Sequence, residues 1–177
     1  MPQQRIVGLD LSLVATGYYV VDAGAEKGGL IEPGKLSGVR RLDHILTAVN
    51  ALLIAPYQTL AVVEDFSFGS KGKAVFQIAG LGYLVRHLLW SKKITTLLVP
   101  PALLKKYVTG AGNADKTVML KEIYKRWGAD INDDNIGDAY ALARIGVAHV
   151  AGYVGLTAFQ VDVLKKVREL NSEGDLP

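Results

Sequence analysis

The spacing of apolar residues along the chain predicts five β-strands and six helices. Short apolar runs indicate strands, whereas apolar residues that recur at every third or fourth position indicate helices. The strands are expected over residues 5–11, 16–22, 30–39, 59–65 and 94–99. The helices are expected over residues 42–55, 74–90, 103–108, 115–127, 135–151 and 158–170.

Glycines and small polar residues predict where these elements begin and end. The glycine-rich segment 24–29 is expected to be a turn before the third strand. Asn113 is the expected cap of the helix over 115–127. Thr157 and Gln160 have the spacing of a capping box, which predicts the start of the last helix. Asp133 is expected either to cap the helix that follows it or to join a functional site.

The order of the elements favours an α/β fold of the RNase H-like type, with a five-stranded mixed sheet and helices on both faces. Three strands come first, and helices then alternate with the remaining two strands before a helical C-terminal part. We expect residues 1–170 to form one nuclease domain and residues 171–177 to be a frayed tail. Trp90 and Trp127 are expected in the core.

Composition narrows the classes of site. The 177 residues contain no cysteine, which excludes disulfides, thiolate zinc sites and cysteine nucleophiles. Any bound metal would therefore have oxygen or imidazole ligands. No signal peptide or membrane span is expected, because charged residues interrupt the longest apolar stretches. We predict a cytoplasmic protein.

Positive charge is concentrated in the middle of the chain. Between Lys71 and Arg126 there are eleven lysines and arginines but only two acidic residues. Such a basic stripe beside an acidic pocket would suit a polyanion such as DNA. The alternative is that these lysines are only solvated helix faces.

Three carboxylates lie inside otherwise apolar elements. Asp10 ends the first strand, Glu64 ends the fourth, and Asp138 lies in an apolar helix. A carboxylate in such a place is unfavourable without compensating positive charge or hydrogen bonds. In an RNase H-like sheet the first and fourth strands are neighbours. We therefore expect the three acids to converge on hard cations, with two Mg²⁺ ions expected and Mn²⁺ able to substitute.

A fourth metal ligand is expected from the start of the same helix. Asp134 precedes Asp138 by four residues and Asn135 by three, so either side chain can project onto the face that carries Asp138. The spacing does not choose between them.

Four segments of the chain resemble motifs of RuvC-type Holliday junction resolvases. They are residues 8–17, 63–64, 109–116 and 134–143, in the order and at the spacing of that family. The resemblance covers residues 5 to 145. It implies a structure-selective endodeoxyribonuclease that cleaves four-way DNA junctions as a homodimer in recombination and repair.

The resemblance also implies roles for individual residues. Asp10, Glu64 and Asp138 would be the catalytic metal-binding carboxylates, and Asn135 stands where the family often has an acid or histidine ligand. The family implies that Lys116 contacts the scissile phosphate and that Lys105 lies near the DNA backbone.

Aromatic and small residues complete these expectations. Phe66 and Phe68 follow Glu64, and they are expected either to stack on DNA bases at the branch point or to belong to the core. Ala79, Gly80 and Gly82 are expected to permit close helix packing, either at the dimer interface or within one subunit.

Three other functions fit parts of the pattern. Another RNase H-like nuclease could cut RNA–DNA hybrids or other branched DNA. A non-catalytic protein could retain the fold and bind junctions without cutting. Sugar kinases share the opening motif, but they need a duplicated domain that 177 residues hardly accommodate.

Overall fold

The computed structural model describes residues 4–54, 59–66 and 73–172, apart from the side chains of residues 73 and 74. Five strands form one mixed sheet in the order β3-β2-β1-β4-β5. They are β1 (Arg5–Asp10), β2 (Thr16–Asp22), β3 (Ala25–Ile31), β4 (Thr59–Glu64) and β5 (Thr95–Val99). β2 is antiparallel to both β1 and β3, whereas β4 runs parallel to both β1 and β5. The predicted sheet and its mixed character are confirmed.

Six helices are present among the described residues. They are α1 (Gly38–Leu52), α2 (Lys73–Ser91), α3 (Pro101–Thr109), α4 (Lys116–Trp127), α5 (Asp134–Ala151) and α6 (Ala158–Ser172). No helix in these parts of the chain is long and apolar enough to cross a membrane. The cytoplasmic location stays a prediction.

The period-two alternation of the strands divides the core between the two faces of the sheet. Ile6 of β1 and Val62 of β4 point to one face, where they pack with α3, α4, α5 and α6. Val7 and Val63 point to the other, where they pack with α1 and α2. Because Asp10 and Glu64 have the parity of Ile6 and Val62, both acids belong to the face covered by α5.

The third strand lies earlier than predicted. Residues 24–29 were expected to be a turn, but β3 covers Ala25–Ile31 and only Ala23 and Gly24, with φ of 49° and 84°, make the reversal. Gly28 and Gly29 misled the prediction. A Cβ on Gly28 would lie 2.6 Å from Cδ2 of Tyr19, so aromatic rings of β2 cover these glycines of an edge strand.

The helix caps were partly mispredicted. Asp115, not Asn113, caps α4 by accepting a hydrogen bond from the Val118 amide at 2.9 Å. Asp133 caps α5 and accepts from the Ile136 amide at 3.0 Å. Gln160 accepts a hydrogen bond from the Thr157 amide at the start of α6, which supports the predicted capping box.

The last helix continues past the predicted domain boundary at residue 170. α6 ends at Ser172, and the Asn171 side chain accepts from the Leu98 amide at 2.8 Å and donates to the Leu98 carbonyl at 3.0 Å. Asn171 therefore occupies the hydrogen-bonding edge of β5, as a neighbouring strand would. Residues 173–177 of the expected tail lie outside the described residues.

Candidate active site

The ends of β1 and β4 bring two of the predicted acids together. Leu9 of β1 and Val63 of β4 are register partners in the parallel pair. Asp10 is the next residue after Leu9, and Glu64 is the next residue after Val63. The two carboxyl groups lie close enough for each to shift the pKa of the other. Asp10 is only 8% exposed, so the strand register delivers a carboxylate pair into a largely water-excluded position.

Close approach of α5 to the sheet brings in the third acid. A Cβ on Gly8 would lie 2.1 Å from the Ala139 carbonyl oxygen, which no side chain could tolerate. Gly17 on β2 has the same role, because a Cβ there would lie 2.0 Å from the Asn135 carbonyl oxygen. The helix backbone therefore rests directly on the strands, which places Asp138 near Asp10.

The electrostatics of the three acids show mutual repulsion in a poorly hydrated place. Burial and the negative charge of Asp10 raise the pKa of Glu64 to about 9. Burial and the same charge raise the pKa of Asp138 to about 7. Burial raises the pKa of Asp10 too, although its interaction with Glu64 works in the opposite direction. At neutral pH the group therefore holds protons that a cation could displace.

The two candidates for a fourth ligand have different surroundings. Asp134 is paired with Lys116, with 2.6 Å between Oδ2 and Nζ. The Cβ of Asn135 lies beside Gly17, which is the register partner of Asp10. Asn135 therefore lies close to the end of β1, while Asp134 is paired with the ammonium group of Lys116.

The two predicted lysines act on the acids from neighbouring helices. Lys116 is the first residue of α4, and its positive charge lowers the pKa of Asp10 and of Asp138 against the dominant effect of burial. Lys105 on α3 lowers the pKa of Glu64 and Asp138 in the same opposing sense. Both lysines therefore lie on the same side of the sheet as the acids.

Phe66 is packed on α2. A Cβ on Gly82 would lie 2.5 Å from its ring, and the guanidinium carbon of Arg86 lies 4.3 Å from its centroid. Arg86 also pairs with Asp65 at 2.6 Å. The ring fills the space left by Gly82, and its contact with DNA stays a prediction. Phe68 lies outside the described residues.

Sequence reasoning missed the contact glycines and the ion pair of the site. Gly8 and Gly17 lie in a motif of the sequence, and they also set the distance between α5 and the sheet. Their signal was available: Gly8 has the strand parity of Asp10, and Ala139 and Ala143 are small residues on the helix that would cover it. The Lys116–Asp134 pair joins two separate helices, and no local pattern marks it.

The donor set fits a hard divalent cation, although the ligands are not arranged as a finished metal cluster. Among the described residues, no three His, Asp or Glu side chains form a group that could already hold a metal ion. Asp10 and Glu64 instead raise or lower the pKa of one another at close range. Carboxylate oxygens without compensating charge in a partly buried place are nevertheless the ligands that Mg²⁺ and Mn²⁺ prefer.

The chain is similar to known proteins. The family model described as crossover junction endodeoxyribonuclease RuvC matches residues 6–149. A relative of that name from Synechococcus sp. (strain CC9311) is 28% identical over 80% of this chain and 97% of the relative. Another from Prochlorococcus marinus (strain MIT 9301) is 30% identical over 78% of this chain and 93% of the relative.

Solved structures agree on the fold. The structure of Thermus thermophilus RuvC has a TM-score of 0.67 at 17% identity, covering 85% of this chain and 98% of that chain. The same protein in complex with its Holliday junction substrate has a TM-score of 0.68, covering 86% of this chain. With the family model matched across both strands and the helix that carry the three acids, the chain belongs to the RuvC family of crossover junction endodeoxyribonucleases.

Proposed function

We propose that this protein resolves four-way DNA junctions, and that Asp10, Glu64 and Asp138 form its hydrolytic centre. The observation that carries the proposal is the convergence of three carboxyls from β1, β4 and α5. Burial raises the pKa of all three acids, and the charge of Asp10 raises the pKa of Glu64 and Asp138 further, so the fold holds these acids together at an electrostatic cost. A purely structural role would have given each acid its own cationic partner, as Asp65 has in Arg86.

Each residue of the site has a distinct proposed task. Asp10 and Glu64 supply carboxylate ligands from the ends of β1 and β4, and Asp138 supplies a third carboxylate from α5. Asn135 adds a neutral amide oxygen beside Asp10, which binds a cation without increasing the repulsion. Lys116 directs its ammonium toward the scissile phosphate, and Lys105 holds the DNA backbone nearby.

The four residues with oxygen donors would hold two Mg²⁺ ions, and Mn²⁺ would be able to replace Mg²⁺. These residues are Asp10, Glu64, Asn135 and Asp138. Bound divalent ions supply Lewis acidity for the in-line hydrolysis of a phosphodiester. The chain itself supplies a partly buried carboxylate cluster whose protons leave when the cations bind, and it aligns the phosphate through its lysines.

The proposed homodimer would use the outer face of α2. Large apolar or aromatic side chains are exposed there at heptad spacing: Phe76 is 82% exposed, Tyr83 is 65% exposed and Trp90 is 54% exposed. The prediction that Trp90 is a core residue is therefore wrong. Gly80 and His87 occupy the intervening positions of the same stripe, and a Cβ on Gly80 would meet open space.

Such a stripe suits a second copy of the same helix. Residues that alternate three and four apart form the seam between paired helices. Contiguous exposed apolar side chains on one helix are typical of a protein interface. Gly82 is excluded from this role because Phe66 fills the space beside it. We call this set of residues the α2 stripe: Phe76, Gly80, Tyr83, His87 and Trp90. Pairing of two α2 stripes would therefore place two catalytic sites in one dimer.

Cleavage of a synthetic four-way junction tests the proposed function. Linear duplex and an RNA–DNA hybrid serve as substrate controls, and each is assayed with Mg²⁺, Mn²⁺ or EDTA. We expect paired nicks on the junction alone, which disappear in EDTA and in the Asp10→Asn variant. Cutting of the hybrid instead would assign a ribonuclease, and binding without cutting would assign a junction-binding protein.

A further inference from the structure

An ion pair links the starts of the two helices that flank the site. Lys116 is the first residue of α4, and Asp134 is the first residue of α5. Their Nζ and Oδ2 atoms are 2.6 Å apart. The side chains are 68% and 40% exposed, so the pair contributes little to the stability of the fold. Stability of the fold therefore does not explain why this ion pair lies beside the three acids.

The partners differ in mobility. Lysine carries its ammonium on a flexible four-carbon stem with three rotatable donors. Asp134 has a short side chain on a fixed backbone, because the preceding residue, Asp133, caps α5 and the following residue, Asn135, packs against Gly17. The aspartate is therefore the anchor of the pair and the lysine is the group that it orients.

The anchored ammonium faces the reaction centre. Besides Asp134, the charges that act on Lys116 are those of Asp138 and Asp10. One N–H of the ammonium is occupied by Asp134 Oδ2, and two donors remain for a phosphate oxygen. Without Asp134 the long side chain would be free to leave this position for solvent, because most of it is exposed.

We propose that Asp134 is a positioning residue that holds Lys116 over the catalytic carboxylates, and that it is not a metal ligand. This inference rests on the proposed function, since it assigns Lys116 a phosphate to contact. It also separates the two neighbouring candidates of the sequence: Asn135, which lies beside Gly17, stays the candidate ligand, and Asp134 pairs with the lysine.

A double-mutant cycle tests the coupling between these two residues. Asp134→Asn, Lys116→Ala and the double variant are compared by single-turnover junction cleavage in Mg²⁺ and by junction affinity in Ca²⁺. We expect Asp134→Asn to slow cleavage about tenfold, because the phosphate contact is less well oriented. Junction affinity should change less than about twofold, because the basic surface remains. In the Lys116→Ala background the same substitution should have no further effect on cleavage.

Two further variants make the test specific. Glu122→Gln removes the carboxylate of two other ion pairs on the same helix, where Lys125 Nζ lies 2.8 Å from Glu122 Oε1 and Arg126 Nη2 lies 3.4 Å from Glu122 Oε2. This control should leave the rate unchanged. Asp134→Glu retains the carboxylate and should restore much of the rate that Asp134→Asn loses, which a loss of helix stability would not explain.

Three results would overturn the inference alone while native cleavage persists. They are an unchanged rate in Asp134→Asn, an equal loss with and without Lys116, and loss of a bound ion from Asp134→Asn in Mg²⁺ calorimetry. The last result would make Asp134 a ligand. A native protein that cuts no junction would overturn the proposed function, and this inference with it.

Discussion

The two faces of the sheet differ in how closely their helices approach the strands. On the α5 face, Gly8 and Gly17 bring the helix backbone into direct contact with β1 and β2. On the opposite face, larger side chains such as Leu9 fill the space beneath α1 and α2. The same strands supply both faces, because alternate residues point in opposite directions.

This difference separates chemistry from assembly. Close approach shortens the distance between the carboxyls that α5, β1 and β4 contribute, so the α5 face can hold a cluster of polar groups. The wider layer on the opposite face consists of apolar side chains, and it supports α2 so that the α2 stripe is presented outward. A substitution should therefore have different consequences according to the face it alters.

The largest expected effect is on cleavage by the α5 face. Glu64→Gln and Asp138→Asn should each lower junction cleavage by at least about 10³-fold, because each removes a charged oxygen ligand from the metal site. Single-turnover assays in Mg²⁺ measure this. Asp43→Asn makes the same chemical change on exposed α1 and should leave the rate unaltered. Comparable losses in Asp43→Asn would end the distinction between the faces.

The next effect concerns the close contact itself. Gly8→Ala should lower the free energy of unfolding by about 3 kcal/mol or more, because its Cβ would collide with the α5 backbone. Gly80→Ala on α2 is the control. Its methyl group meets open space in the monomer, and it should raise helix stability by up to about 1 kcal/mol. Urea unfolding of dilute protein measures both, and equal stability of the two variants would refute the close approach.

The α2 stripe should control assembly. Phe76→Asp places a charge in the proposed seam, and we expect at least about a 100-fold weaker dimer. Cleavage should then yield single nicks in place of paired ones. Val39→Asp is the matched control, since Val39 on α1 is 80% exposed and lies outside the stripe. Analytical ultracentrifugation measures the dissociation constant, and an unchanged dimer in Phe76→Asp would place the interface elsewhere.

The metal-free protein should lose stability as the pH rises. The unfolded chain ionises its carboxyls near pH 4, whereas the folded chain retains protons on Asp138 to about pH 7 and on Glu64 to about pH 9. Between these limits the folded state binds more protons, so its free energy of unfolding falls by several kcal/mol as the pH rises from 5.5 to 8.5.

Thermal unfolding in EDTA checks this slope. Mg²⁺ should restore more stability at pH 8.5 than at pH 5.5, because fewer protons must leave. Asp138→Asn, which removes one of the repelling charges, should unfold at a higher temperature than the native chain in EDTA at pH 8.5. A metal-free melting temperature that rises between pH 5.5 and 8.5 would contradict the raised pKa values.

The smallest expected effect is on the salt dependence of binding. Lys121 and Lys125 lie on the exposed side of α4, the helix that begins at Lys116. Changing both to Gln should reduce the slope of log affinity against log salt by about 2, if each contacts a phosphate. Changing exposed Lys165 and Lys166 of α6 to Gln alters the net charge equally and should leave the slope unchanged.

Much of the fold and the three acids could be predicted from sequence because each depends on a local pattern. Asp10 and Glu64 end short apolar runs, and the positions of those runs in the chain imply neighbouring parallel strands. The predicted fold and family are confirmed. The roles assigned to individual site residues stay predictions until the variants are measured.

Features that depend on tertiary contacts were mispredicted. Two consecutive glycines, Gly28 and Gly29, are typical of a turn. Aromatic rings of the adjacent β2 nevertheless pack over them, which favours an extended strand. Trp90 is a large aromatic residue of the type expected in a core, but its position on α2 places it on the surface of the subunit. The partner of Lys116 could not be foreseen because Asp134 lies on a different helix, 18 residues away.

Titration calorimetry tests the central claim most directly. It measures Mg²⁺ binding to the native protein and to Asp10→Asn at pH 7, in buffers of different ionisation enthalpy. We predict that two ions bind to the native protein and that about one or more protons are released, because Glu64 and Asp138 must ionise. Asp10→Asn should lose this binding. Equal binding by both proteins, without proton release, would show that the carboxylates of β1, β4 and α5 do not form the metal site.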